Sequence, residues 1–199
     1  MLRRAALALV LAACPTCHGA DAPEPAVPEP APATPPPSPA SSGLVGTPAR
    51  EFTDLTWLDG RPRTLASLRG QVVLVRFWTD TCPYCRGTAP KLRQLDAELR
   101  AQGLTVLGLY HAKPRGRAAV RDEVVATVKE WALEFPIAID DTWSTIDAWW
   151  LTTDREATSA SFLIDRRGVI RLVHPGPEFS DAELTELRAR ISTLLAEQP

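Results

Sequence analysis

Within the 199-residue chain the residues best spaced for chemistry are Cys82 and Cys85, in the run Cys82-Pro83-Tyr84-Cys85. An apolar run ends just before them, and a helical pattern begins at Pro83. Residues three apart in a first helical turn lie on one face, within the Cα separation that a disulfide tolerates. Pro83 suits the first helical position, where its missing N–H costs nothing. The unpaired N–H groups and the dipole of a helix N-terminus favour a thiolate on Cys82. Cys82 is therefore the expected nucleophile of a thiol–disulfide exchange, and Cys85 the thiol that resolves the mixed disulfide. A disulfide between them closes too short a loop to add much strength. A structural zinc site needs two further ligands, and the body of the chain has no second cysteine pair. Neither a cofactor nor a metal is expected.

Several elements must position this pair. Residues 71–78 form a β-branched and aromatic run of the kind found in central, fully buried strands. A helix is predicted from Pro83 to Ala101, with Leu92, Leu95 and Leu99 on one face and Gly103 as its stop. Leu104–Tyr110 reads as the next buried strand, parallel to the first in a βαβ unit. Upstream, Phe52–Trp57 and Arg63–Leu65 around Asp59-Gly60 suggest a hairpin. Downstream, a helix over Ala118–Glu134 and a short strand over Pro136–Ile139 are expected, then a short helix over Thr142–Leu151. Ser161–Ile164 and Val169–His174 read as a second hairpin. A final helix begins at Ser180, with Glu183 in the capping-box position. The fold class is α/β: a central mixed sheet flanked by helices, with an N-terminal hairpin and a helix–strand insertion.

Phe77-Trp78-Thr79-Asp80-Thr81-Cys82-Pro83-Tyr84-Cys85-Arg86, with Pro90 beyond, resembles the active site of thioredoxin-fold proteins. Gly46-Thr47-Pro48-Ala49, Leu68-Arg69-Gly70 and Phe162-Leu163-Ile164-Asp165 are similar to the flanks of the TlpA/ResA-like branch. The resemblance covers about residues 44–197. It implies a thioredoxin-like domain that exchanges thiols and disulfides with exported proteins, served by an upstream electron donor or acceptor. Two positions depart from that pattern. The family's cis-proline, three residues before the Phe-Leu-Ile-Asp strand, is here Ser159. A non-proline cis bond costs about 3–4 kcal/mol, so a trans bond is expected there. Thioredoxin's buried acid, six residues before the first cysteine, is here Arg76. A guanidinium cannot accept the resolving proton; it either stabilises a thiolate or snorkels away.

His111 follows the second strand and should emerge on the same sheet edge as Cys82, either as a titratable base or as an exposed loop residue. Trp78 is expected to pack beside the cysteine loop. Trp143, Trp149 and Trp150 read as core or as a groove lining. His174, at a strand end, is assigned no role. Two other chemistries remain open for the pair. Thr79-x-x-Cys82 echoes a thiol peroxidase pattern, although its usual proline is Val75. Two thiols and a histidine would also suit Cu(I).

The front of the chain differs. Met1 to Ala13 is basic and then apolar, too short to span a bilayer, and ends in Leu11-Ala12-Ala13-Cys14. This resembles a bacterial lipobox and implies a signal peptide over residues 1–13 and lipid on Cys14, tethering the protein to a membrane surface outside the cytoplasm. Cys14-Pro15-Thr16-Cys17-His18 also fits a haem-attachment pattern, but no core adjoins it to bury a macrocycle. Cys17 is left without a role. Nine of the chain's 19 prolines fall between Pro23 and Pro39, so residues 14–43 read as a lipidated, extended stalk. The thioredoxin-like domain then spans 44–199. A formal charge of −2 gives no reason to expect nucleic acid, and a monomer is expected.

Overall fold

The strand β2 (Val72–Trp78) is apolar except at Arg76 because it lies inside a sheet and is covered on both faces; all seven of its residues are buried. The computed structural model describes residues 43–151, 155, 157–176 and 178–197. The signal-like segment, Cys14, Cys17 and the proline-rich stretch lie outside the described residues. On one side β2 pairs in parallel with β3 (Leu104–Tyr110), and on the other antiparallel with β5 (Ser161–Ile164). With β1 (Thr56–Trp57), β4 (Ile137–Ile139) and β6 (Ile170–His174) the sheet order is β1-β4-β3-β2-β5-β6. The thioredoxin-like, mixed α/β architecture expected from the sequence is present.

Strand alternation sorts the core into two layers. Val72, Leu74 and Trp78 pack with Leu92, Leu95 and Leu99 of α1 (Pro83–Leu99), and with Leu187 and Ile191 of α4 (Asp181–Ala196). Val73, Val75 and Phe77 pack on the opposite layer against Trp149, Phe162 and Val173. Arg76 has the parity of Leu74 and Trp78, so it faces α1 and the cysteines. Gly103, with φ +102°, ends the short 3₁₀ extension of α1 in a left-handed conformation open to glycine. The capping box of Ser180 and Glu183 starts α4 as the sequence predicts.

The N-terminal hairpin does not form. β1 pairs antiparallel with β4, through Thr56 with Ile139 and Trp57 with Ala138. The donors of the expected second strand are taken up by side chains instead: Thr64 N–H by Ser67 Oγ, and Leu65 and Ala66 N–H by the Glu51 carboxylate. Pro62 has no N–H to offer. A 3₁₀ turn follows at Ala66–Leu68. The insertion helix α2 is also shorter than expected, Arg121–Glu130. Ala119 N–H donates to the Asp141 carboxylate, and Ala132 takes a left-handed φ of +50° that ends helical progress.

Candidate active site

Cys82 is the N-cap of α1, in extended conformation, and Pro83 occupies the first turn. The Cys82 sulfur accepts the Cys85 N–H at 3.4 Å, which uses one of the helix's four orphan donors. Cys82 is half-buried and Cys85 is buried, and both are free thiols. Beside them Tyr84 is 53% exposed and offers an apolar face to anything approaching Cys82.

Three groups from other elements close on the sulfurs. Ser159, in the loop before β5, places its hydroxyl 3.1 Å from Cys85 Sγ and 3.9 Å from Cys82 Sγ. Arg76 of β2 lies with Nη2 4.0 Å from Cys85 Sγ, while its Nη1 donates to Ser161 Oγ at 3.1 Å. The Phe179 ring faces its guanidinium at 5.9 Å. Arg76 is 2% exposed, so it does not snorkel away; parity in β2 aims it at the sulfur. Behind Cys85 the wall is apolar, built from Trp78, Ala89, Leu92 and Trp131.

These contacts separate the two thiols. Burial raises Cys82, but hydrogen bonds from Cys85, from Ser159 and from the backbone of the first turn outweigh it, and its pKa falls below the usual thiol range. Burial also raises Cys85, and there it prevails over the Arg76 charge and the Ser159 hydroxyl. When the pair gives up one proton, Cys82 is therefore the thiol that loses it and Cys85 the one that keeps its own. Burial pulls Arg76 down, opposed by the charges of Cys85, Cys82 and Glu178.

Residues 45–173 match the AhpC/TSA family. The chain belongs to the AhpC/TSA family. Its relatives place it in the TlpA/ResA-like branch. They include thiol-disulfide oxidoreductase ResA of Halalkalibacterium halodurans, 29% identical over 60% of this chain and 62% of that protein. Protein DipZ of Mycobacterium bovis is 29% identical over 67% of this chain, which spans only 19% of DipZ. The solved structure assigned to thiol:disulfide interchange protein DsbE of Chlorobium tepidum is 26% identical, with a TM-score of 0.64 over 76% of this chain and 98% of that one.

This AhpC/TSA member departs from its branch where the sequence says it does. The Thr158–Ser159 bond is trans; among the described residues the cis bond is Lys113–Pro114. Ser159 therefore brings a hydroxyl to the sulfurs where the branch brings a proline ring. Trp78 packs against Tyr110 and Trp131, with ring centroids 5.0 and 5.3 Å away, beside the cysteine loop as expected. Trp143, Trp149 and Trp150 are all buried in the second layer of core.

His111 overturns the exposed-loop reading. Its N–H donates to Trp78 O at the sheet edge, yet the side chain is 0% exposed, covered by the Trp143 ring at 4.8 Å. Among the described residues neither ring nitrogen has a hydrogen-bond partner. Burial, with Lys113 and Arg76 nearby, pushes its pKa down to about 3. Such an imidazole is neutral at pH 7. His174, buried against Phe179, is pushed down to about 4. No histidine joins the cysteines as a third metal ligand among the described residues.

A pH dependence of stability follows from the two histidines. Unfolded, they titrate near 6.5; folded, they stay neutral down to about 4 and about 3. Between those values the unfolded chain binds more protons, so acid favours unfolding. Stability is expected to fall as pH drops from 7 to 5, by roughly 2 kcal/mol for His111 alone. Denaturant midpoints measured across that range should show the slope, and His111→Phe should remove about half of it. A flat wild-type profile would contradict the burial of both rings.

Proposed function

We propose that this protein is an extracytoplasmic thiol–disulfide oxidoreductase that works through Cys82 and Cys85. The observation that carries the reading is the split between the two thiols: a half-exposed Cys82 that caps a helix N-terminus and whose pKa is pulled down, over a buried Cys85 whose pKa burial pushes up. The Cys82 thiolate attacks one sulfur of a partner disulfide. A Cys82–partner bond forms, the partner's own S–S bond breaks, and the departing thiolate takes a proton from water. Cys85 then loses its proton and attacks Cys82 Sγ, releasing the second partner thiol. Two electrons pass to the partner, and a Cys82–Cys85 disulfide remains. Run backwards, the same steps oxidise a dithiol.

Among the described residues no carboxylate is hydrogen-bonded to Cys85 to take its proton; the Arg76 cation beside it lowers the cost of the thiolate instead. His111 is walled off by Trp143 and plays no part in proton transfer. Ser159 holds both sulfurs from the loop side, Pro83 and Tyr84 frame the opening, and Trp78 packs behind the pair. The assay that tests the reading is turnover of a protein disulfide such as insulin with dithiol as donor, beside consumption of hydrogen peroxide. Exchange without peroxide loss is expected. Rapid peroxide consumption with no exchange would make the pair a thiol peroxidase.

The lipobox reading adds a tether: residues 1–13 are removed, Cys14 carries lipid, and residues 14–43 hold the domain off a bacterial membrane. Among the described residues no helix is long and apolar enough to cross a bilayer. Cys14→Ser is expected to move most of the exported protein into the soluble fraction, since the apolar run is too short to anchor by itself. Membrane retention of that variant after a carbonate wash would remove the lipid anchor from the proposal.

A further inference from the structure

A cleft of about 360 Å³ opens beside the Ser159 loop, lined by Lys113, Arg115, Trp143, Leu151, Arg155 and Thr158. Thr158 is bonded directly to the residue whose hydroxyl lies 3.1 Å from Cys85 Sγ and 3.9 Å from Cys82 Sγ, so one wall of the cleft belongs to the loop that touches the reacting pair. Three cations ring it, and among the described residues one carboxylate pairs with them, Asp147 with Arg115. Among the described residues neither Lys113 nor Arg155 has an ion-pair partner. The two arginines are pinned over indole faces, Arg115 at 5.2 Å from Trp143 and Arg155 at 4.9 Å from Trp150.

The polar groups in its wall lack partners as well. The Thr158 hydroxyl is buried, with the residue 5% exposed, and is unbonded among the described residues. So is the indole N–H of Trp143, a residue 6% exposed. Trp143 also holds a left-handed φ of +63°, an uncommon conformation for a bulky residue, with strain of the kind that clusters at ligand sites. Buried donors are seldom left unmatched, and a water, an ion or a ligand group is the usual answer. Here the donors and the positive charge call for the same thing, an acceptor with negative charge.

We propose that this cleft is a specificity subsite for a carboxylate of the partner polypeptide: an aspartate or glutamate one to four residues from the reacting cysteine. The proposal rests on the exchange reading of Cys82. A partner segment lying along the Ser159 loop advances about 3.3 Å per residue, which brings that carboxylate over the cleft while its sulfur meets Cys82. Lys113 and Arg155 would take the charge, and the Thr158 hydroxyl and Trp143 N–H would donate to its oxygens.

The test uses the reduced full-length protein and peptide disulfides that differ only in Glu or Gln at each offset from the cysteine. The readout is the ratio of rate constants, Glu over Gln, in each protein, so that a loss common to both peptides cancels. At low salt the wild-type ratio is expected to reach about ten at one offset, the lower end of electrostatic steering. It should collapse in molar salt, where the screening length is about 3 Å. In Lys113→Glu/Arg155→Glu the ratio should fall to one or below. A wild-type ratio within twofold of one at every offset overturns the subsite. So does a preference that survives in the double variant, because the attraction then lies elsewhere. A neutral disulfide, dithiodipyridine, separates the two readings: no reaction of the wild-type protein with it overturns the exchange reading itself and the subsite with it.

Discussion

Cys82→Ser is expected to abolish exchange, by roughly a thousandfold or more, whereas Cys85→Ser should stop the reaction after its first step and hold partners as mixed disulfides. The asymmetry has a physical origin in the helix terminus. Cys82 caps α1, accepts the Cys85 N–H and lies half-open to solvent, so its thiolate is both stabilised and reachable. Cys85 sits one turn in and is 3% exposed, against an apolar wall, where burial keeps its proton on. In Cys85→Ser nothing can displace the bound partner, and the Cys82–partner bond accumulates. Non-reducing gels and intact mass spectra of each variant with a disulfide peptide check this directly. Alkylation at neutral pH adds an independent reading, with Cys82 faster in Cys85→Ser than Cys85 in Cys82→Ser. Equal rates in the two variants would reverse the assignment of roles.

Arg76→Met is expected to make the pair a stronger reductant, lowering its potential by about 30–60 mV, or ~1.4–3 kcal/mol for two electrons. The guanidinium lies 4.0 Å from Cys85 Sγ in a buried site. Unit charges at that distance attract by about 4 kcal/mol at an effective dielectric of ~20, an upper bound here because the thiolate forms more readily on Cys82 than on Cys85. The disulfide carries no charge to receive that attraction, but a thiolate does. The cation therefore favours the reduced state, and removing it favours the oxidised one. Part of the attraction is lost because Arg76 also serves Ser161 and is itself desolvated. Folding stability should not fall in parallel. An apolar chain of similar length replaces a buried charge, an exchange that is often neutral or stabilising. The Cys82 alkylation profile should also move to higher pH. An unchanged potential with a large loss of stability would make Arg76 a structural residue and nothing more.

Much of the fold is written locally. β2, α1 and β3 follow from short-range periodicity, and the Ser180–Glu183 box from a spacing of three. The role proposed for the cysteine pair is equally local, because a helix N-terminus needs only its own first turn to stabilise a thiolate. The substitutions at Arg76 and Ser159 are visible as residue types in register with a known branch.

What the sequence could not decide depends on which distant segment covers which side chain. The N-terminal hairpin was a fair reading of an Asp-Gly turn, yet β1 finds its partner in β4, some 80 residues on. Strand pairing is settled by competition among all exposed edges, and the turn next door is only one competitor. Arg76 reads alike as a snorkelling surface residue and as a thiolate's counter-charge until α1 is known to lie across its face of β2. Strand order puts His111 at the sheet edge, but its exposure is decided by Trp143, 32 residues later, whose indole lies over the imidazole. Dielectric environment is a property of three-dimensional neighbours. Local spacing determined which residues meet at the helix terminus and which thiol its first turn favours as thiolate, and long-range packing determined how deeply each is buried and what charge faces it.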